Sequence, residues 1–183
     1  MLSKRLQDKV YESSDLKIPA VQEWLHDISY AEEFWNSIAG FVLPDLARVG
    51  KDAIAAKENW VVTQPLSGTP WPSIYVSIDV IVNQETPPHL DKVSASSLLD
   101  LLVSLGTHDA QFHILDLGSI FGYQPGTMIY LAGKLLCHSV PKWENGERIA
   151  LAHYMKDAVH NKFGVARPAF TQQKDLLGRF LPS

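Results

Sequence analysis

Cysteine is nearly missing from this sequence: Cys137 stands alone in 183 residues. A lone thiol has no disulfide partner within the chain, which fits a reducing compartment and an intracellular protein of nucleus or cytoplasm. Long apolar runs are missing too. None approaches the roughly 18–20 residues needed to span a bilayer, so no membrane partner is expected. Residues 1–18 read as a loosely packed leader, and 1–17 carry charge but no apolar stretch or small-residue cleavage site, so they are not a signal peptide. There is no long basic run, and the formal net charge is −4. Proteins that grip duplex nucleic acid over a wide surface carry a basic field, because neutralised phosphates supply most non-specific affinity. That class is disfavoured, while an enzyme holding a few nucleotides through a local patch stays open. Internal repeats and low-complexity tracts are also absent. With 46% hydrophobic and 20% charged residues, the chain has the balance of a globule with its own core, and one domain over 1–183 is expected.

Helical periodicity is confined to the first third. Over 19–38, Val21, Trp24, Leu25, Ile28, Ala31, Phe34 and Trp35 recur at threes and fours, which predicts an amphipathic helix punctuated by Gly40 and Pro44. A second helix is predicted over 44–59, with Leu46, Val49, Ile54 and Ala55 toward the core. After Trp60 the texture changes to Pro65, Gly68, Pro70 and Pro72, an irregular loop. Strands are then predicted over 73–82, 112–117, 127–131, 134–140 and 148–156. Pro125-Gly126 and Asn145-Gly146 supply turns between them. Residues 97–105 (SLLDLLVSL) fit a buried strand or a short buried helix, with strand favoured. Helices 1–59 ahead of many short strands over 60–167, with a tail over 168–183, suggest an α+β, mainly β fold: helices packed on a barrel or sandwich.

Chemistry concentrates in Thr86-Pro-Pro-His-Leu-Asp91. Residues two apart on an extended segment point the same way, so His89 and Asp91 face one side together. A third donor is available from His138, 47 positions after Asp91 in the apolar segment Leu135-Leu-Cys-His-Ser-Val140. Two histidines and one carboxylate on one face of a metal leave open positions, as non-haem iron(II) oxygenases require. Arg148 follows His138 by ten residues, just past Asn145-Gly146. If these two segments form a hairpin, Arg148 returns beside the metal. There its guanidinium can fork onto the distal carboxylate of 2-oxoglutarate, whose keto-acid end would chelate the iron. Alternation puts Ala150, Ala152 and Tyr154 on Arg148's face.

These motifs resemble the double-stranded β-helix (jelly-roll, cupin-like) core of 2-oxoglutarate/Fe(II) dioxygenases, and in particular a small form of the TET/JBP-type nucleic-acid-modifying branch. The likeness covers about 71–167. It is carried by Asn83 upstream of His89-Leu-Asp91, by Asp100-Leu-Leu-Val103 with Leu105-Gly106, by Pro125-Gly126-Thr127, by Cys137-His138-Ser-Val140 and by Gly146-Glu-Arg-Ile149. The resemblance implies that His89, Asp91 and His138 hold Fe(II) and that Arg148 binds 2-oxoglutarate. Dioxygen would be a cosubstrate and a methylated nucleic-acid base the target. It departs from the pattern at Ala150, where many dioxygenases carry a hydroxyl that also bonds the cosubstrate; Tyr123, Tyr130 or Tyr154 are the candidate replacements. The cysteine-rich zinc modules and long DNA-gripping insertions of large animal TET enzymes are missing.

A flipped or unpaired base needs stacking partners. Trp60, Trp71 and Trp143 are candidates by position, Asn83 is a substrate or loop-shaping candidate, and Lys142 and Arg167 are candidates for phosphates. His26, His108, His113 and His153 read as surface or satisfied core residues, and Cys137 as a small packed hydrophobe. Two other functions remain open at this level. One keeps the iron site but oxidises a small molecule or protein side chain; the other is a non-catalytic cupin-like binding domain.

Overall fold

The computed structural model describes residues 13–61 and 70–170. The leader up to residue 12, the tail from 171 and the side chain of Trp60 lie outside the described residues. A short 3-10 turn, Ser14–Lys17, leads into α1 (Pro19–Asp27), α2 (Ser29–Val42) and α3 (Pro44–Val61). The helix predicted over 19–38 is thus two helices, parted at Ile28. Gly40 does not end α2, which runs on until Leu43 leaves the helical region at φ −133°, ψ 61°. The stop belongs to Pro44, whose ring disfavours helical geometry in the residue before it. The core-facing residues Leu25, Trp35, Leu46, Val49 and Ile54 are buried, but Phe34 is exposed and Ala53 takes the inward place expected of Ala55.

Among the described residues nine strands follow: β1 (Ser77–Val82), β2 (Thr86–His89), β3 (Asp100–Gly106), β4 (Asp109–Ile114), β5 (Ser119–Gly122), β6 (Met128–Leu131), β7 (His138–Val140), β8 (Trp143–Glu144) and β9 (Arg148–Tyr154). A further helix, α4, spans Asp157–Phe163. The pairing is antiparallel throughout, in two sheets ordered β1-β9-β3-β6 and β2-β7-β4-β5, with β8 beside β4. The fold is α+β, mainly β, with a jelly-roll core. Among the described residues no helix is long and apolar enough to cross a membrane.

Strand parity divides the core. Leu101, Val103 and Leu151 face outward and join Trp35, Ala39, Leu46, Val49, Tyr75 and Met155 under the helices. Leu102, Ala150 and Ala152 face inward and meet Phe112, Ile114 and Val140 of the other sheet. β3 is covered on both faces, so its first five residues are all buried, which is why its apolar run showed no alternation.

One expectation is overturned. β7, which carries His138, pairs with β2 and β4, whereas β9, which carries Arg148, pairs with β1 and β3. Asn145 (φ 57°) and Gly146 (φ 144°) therefore turn the chain from one sheet to the other instead of closing a hairpin. Arg148 instead reaches across to the second sheet, through Thr86 of β2, the strand beside β7.

Candidate metal and keto-acid site

His89 ends β2, Asp91 follows it, and His138 begins β7; the β2–β7 register sets His89 directly against His138. Their rings lie 4.3 Å apart between centroids. His89 Nε2 is 3.5 Å from Asp91 Oδ1, and His138 Nε2 is 3.5 Å from Asp91 Oδ2. Adjacent donors around one ion at about 2.1 Å stand roughly 3 Å apart. One donor atom from each residue lies within 4.8 Å of the other two.

Backbone carbonyls aim both imidazoles. His89 Nδ1–H donates to Pro87 O at 2.9 Å and His138 Nδ1–H to Leu136 O at 3.0 Å. A carbonyl can only accept, so the proton sits on Nδ1 and each Nε2 lone pair is left for a metal. Burial pushes His138 below the ordinary imidazole range, against its Leu136 bond and the Asp91 charge; a neutral ring is the ligating form. Phe112 stacks on it at 5.5 Å and 21°. Asp91 is fixed by its own N–H, which donates to Gly133 O at 2.9 Å. Its Oδ2 is buried without a hydrogen-bond partner, an acceptor that a cation would satisfy. The donor set therefore fits a divalent ion of the iron or zinc type, and two nitrogens with one carboxylate suit iron(II).

Arg148 enters from the opposing sheet, only 2% exposed. Its backbone N–H donates to Asn83 Oδ1 at 2.9 Å, and Asn83 N–H donates to Arg148 O at 2.8 Å. Asn83 has φ 49°, a left-handed turn that asparagine tolerates. Nη1 donates to Gln84 O and Nη2 to Thr86 Oγ1 at 3.3 Å. Nε is buried without a partner, and no carboxylate of the described residues pairs with the guanidinium. Burial lowers its basicity, opposed by Tyr123. A buried cation lacking a counter-charge is costly, and an anionic ligand would relieve it. The residues thus also fit the distal carboxylate of a keto acid.

The remaining predicted residues separate. Tyr123 is 2% exposed and within electrostatic reach of Arg148. Tyr154 packs against the same inner cluster, and burial followed by the Asp91 charge drives its phenol upward. Tyr130 turns the other way, into the cluster beneath the helices, because β6 alternates and Ile129 and Leu131 take the inner face; the structure does not bring it to Arg148. Trp71 is also held on the helix side, its Nε1–H donating to Tyr75 O at 2.6 Å with Lys57 Nζ 5.4 Å above the ring. Trp143 pairs with Ala110 and leans on the inner cluster. Asn83 serves Arg148's backbone. Arg167 is committed to Asp157, with Nη2 2.6 Å from Oδ1, while Lys142 is exposed.

Sequence reasoning missed Gly133, Asp100, Ser104 and His108. A Cβ at Gly133 would overlap Asp91 Oδ2, and nothing but the letter G in a turn signalled it. Asp100, fully buried, has its carboxyl pushed up to about 7 by burial first, with Asp91 adding and the 2.8 Å bond from Ser94 Oγ opposing. His153, read as structural, is so: its Nε2 lies 2.8 Å from Glu32 Oε1 on α2, both fully buried.

No family model and no curated protein matches the sequence. The fold does match solved structures. NgTET1 in complex with 5mC DNA superposes with a TM-score of 0.60 at 17% identity, over 91% of this chain and 61% of that one. At that identity the likeness establishes a shared fold, and the chain spans under two thirds of NgTET1's length. The chain has the jelly-roll fold of a TET-type protein, with a His-Asp-His group that could hold a metal.

Proposed function

We propose that this protein is an Fe(II)- and 2-oxoglutarate-dependent dioxygenase that oxidises the methyl group of a modified nucleobase, of 5-methylcytosine or N6-methyladenine type, in DNA or RNA. The observations that carry the reading are a three-donor metal group and, on the opposing sheet, a buried guanidinium with no carboxylate partner among the described residues. His89, Asp91 and His138 would hold the iron; Arg148, with Tyr123 in electrostatic reach, and Tyr154, whose phenol feels the Asp91 charge, would hold the cosubstrate. Bound iron would supply the redox chemistry that couples keto-acid decarboxylation by dioxygen to oxidation of a substrate C–H bond. The chain's own part is to aim both Nε2 atoms, keep His138 neutral, and hold the Arg148 guanidinium buried through Asn83, Gln84 and Thr86.

The nucleobase rests on the motifs of the TET/JBP type and on the fold shared with a protein solved with 5mC DNA. The test is succinate formation with iron(II), 2-oxoglutarate and methylated against unmethylated oligonucleotides. Stimulation by the methylated strand, abolished in His138→Ala, is expected. Turnover that survives His138→Ala would contradict the site. The net charge of −4 favours a second reading, the same chemistry on a small molecule or protein side chain. Succinate formation indifferent to any oligonucleotide would support it.

A further inference from the structure

The inner face of the first sheet carries Ile81, Leu102, Ala150 and Ala152, with polar groups at both ends: Asp100 and Tyr154 at one, Ser104 and Arg148 at the other. The β3–β9 register sets Ser104 opposite Ala150 and Gly106 opposite Arg148. Directly paired residues on one face are near neighbours, their Cβ atoms about 5 Å apart. Ser104 is therefore a hydroxyl beside the position where β9 itself offers only a methyl. It is fully buried, and His108 is 1% exposed.

These two residues join both flanks of the arginine. The single proton of Ser104 Oγ has two acceptors in reach, Tyr123 O at 3.0 Å and His108 Nε2 at 3.3 Å. His108 Nδ1–H donates to Glu147 O at 3.3 Å, one residue before Arg148. That carbonyl already accepts from Thr107 N–H at 3.0 Å, so the ladder is satisfied without the histidine. Gly106 closes the same contact: a Cβ there would overlap Glu147 O. Burying a serine and an imidazole costs desolvation that apolar side chains would avoid. Their bonds converge on the backbone of Tyr123 and Glu147, the residues that set where the phenol and the guanidinium stand.

We propose that Ser104 and His108 form a positioning pair that fixes Arg148 and Tyr123 around the distal carboxylate of the keto acid, selecting a dicarboxylic over a monocarboxylic one. The proposal rests on the reading of Arg148 as that carboxylate's anchor. The polar contacts of Ser104 and His108 are to each other, to Tyr123 O and to Glu147 O, and none is to His89, Asp91 or His138, so metal affinity and carboxylate selectivity are separable.

The test is calorimetric titration of the Mn(II)-loaded protein, which avoids turnover, with 2-oxoglutarate and with pyruvate, which lacks the distal carboxylate. Ser104→Ala and His108→Asn should each weaken 2-oxoglutarate by about tenfold, the scale of one hydrogen-bonded arrangement around a charge. Pyruvate and Mn(II) binding should hold within about twofold. Equal losses for both keto acids and the metal would make the pair merely structural and overturn the proposal, as would unchanged 2-oxoglutarate binding. His108→Asn carries the test alone if Ser104→Ala does not fold. A wild-type protein that binds 2-oxoglutarate no better than pyruvate would instead overturn the reading of Arg148, and this proposal with it.

Discussion

Position 133 has no room for a side chain, because a Cβ there would press on the carboxylates of both Asp91 and Asp100. Gly133→Ala should therefore displace Asp91 and lower Mn(II) affinity by at least about tenfold, while the melting temperature of the metal-free protein shifts little. Unchanged metal affinity, read by calorimetry, would show that Asp91 is not a ligand. Asn83 makes the complementary case for the arginine. Asn83→Ala removes the acceptor of Arg148 N–H and places alanine at φ 49°, a combined cost of about 2–3 kcal/mol. Asn83→Gly relieves the backbone only, so it should fall between, as urea denaturation would show. The sequence marked His89, Asp91, His138 and Arg148 because their chemistry is local and sparse. Gly133, Ser104 and His108 stayed hidden because their roles arise from distant partners: the Asp91 carboxylate, Tyr123 O and Glu147 O, which only the closed fold brings near.

Among the elements, α2 is tied to the sheet by the buried pair of Glu32 and His153. His153 Nδ1–H donates to Leu101 O at 3.1 Å, so the contact to Glu32 holds one further proton between oxygen and nitrogen. Removing one partner strands the other, which typically costs about 3–5 kcal/mol. Glu32→Ala should destabilise on that scale and Glu32→Gln less, since an amide can still donate to a neutral ring; equal stability of all three in urea would mean that the pair contributes nothing. Gly40 offers the opposite sign. It sits inside α2 with no atom within 4 Å of the place a methyl would take, so Gly40→Ala should stabilise by about 0.5–1 kcal/mol. Elements with one covered face were legible: the helical stretches of α1 through α3 showed by their period, though not the break at Ile28. β2, β5 and β8 were not, being two to four residues long and sited among prolines, glycines and exposed side chains. The hairpin expected between His138 and Arg148 failed for the same kind of reason. Asn145-Gly146 specifies a tight turn, not which sheet receives the next strand.

For the whole molecule, Asp100 imposes a pH dependence. Its carboxyl titrates at about 7 when folded, against an ordinary value of 3.8, so between those values the folded protein binds more protons than the unfolded chain. Asp100's contribution to stability is then fully present below about pH 4 and lost as pH rises through about 7. Burial lowers His138 and His160, which favours the folded state in the opposite direction, present above the ordinary imidazole range and lost as pH falls. Comparing the metal-free protein with Asp100→Asn isolates the first effect: the variant should lose less stability between about pH 5 and about pH 8. Parallel profiles would mean that Asp100 is ionised throughout. The two-layer jelly roll under three helices was legible in outline, since helical period gives way to strand and turn signals after residue 60. The facing of β7 and β9 across the interior, on which the proposed convergence of the metal donors and Arg148 rests, was not. That convergence is tested most directly by anaerobic titration of the iron(II)-loaded protein with 2-oxoglutarate, followed by visible absorption. A charge-transfer band that saturates with the keto acid, vanishes in His138→Ala and needs far more ligand in Arg148→Ala is the predicted result; a wild-type protein that binds iron(II) yet shows no band at any concentration of 2-oxoglutarate would contradict it.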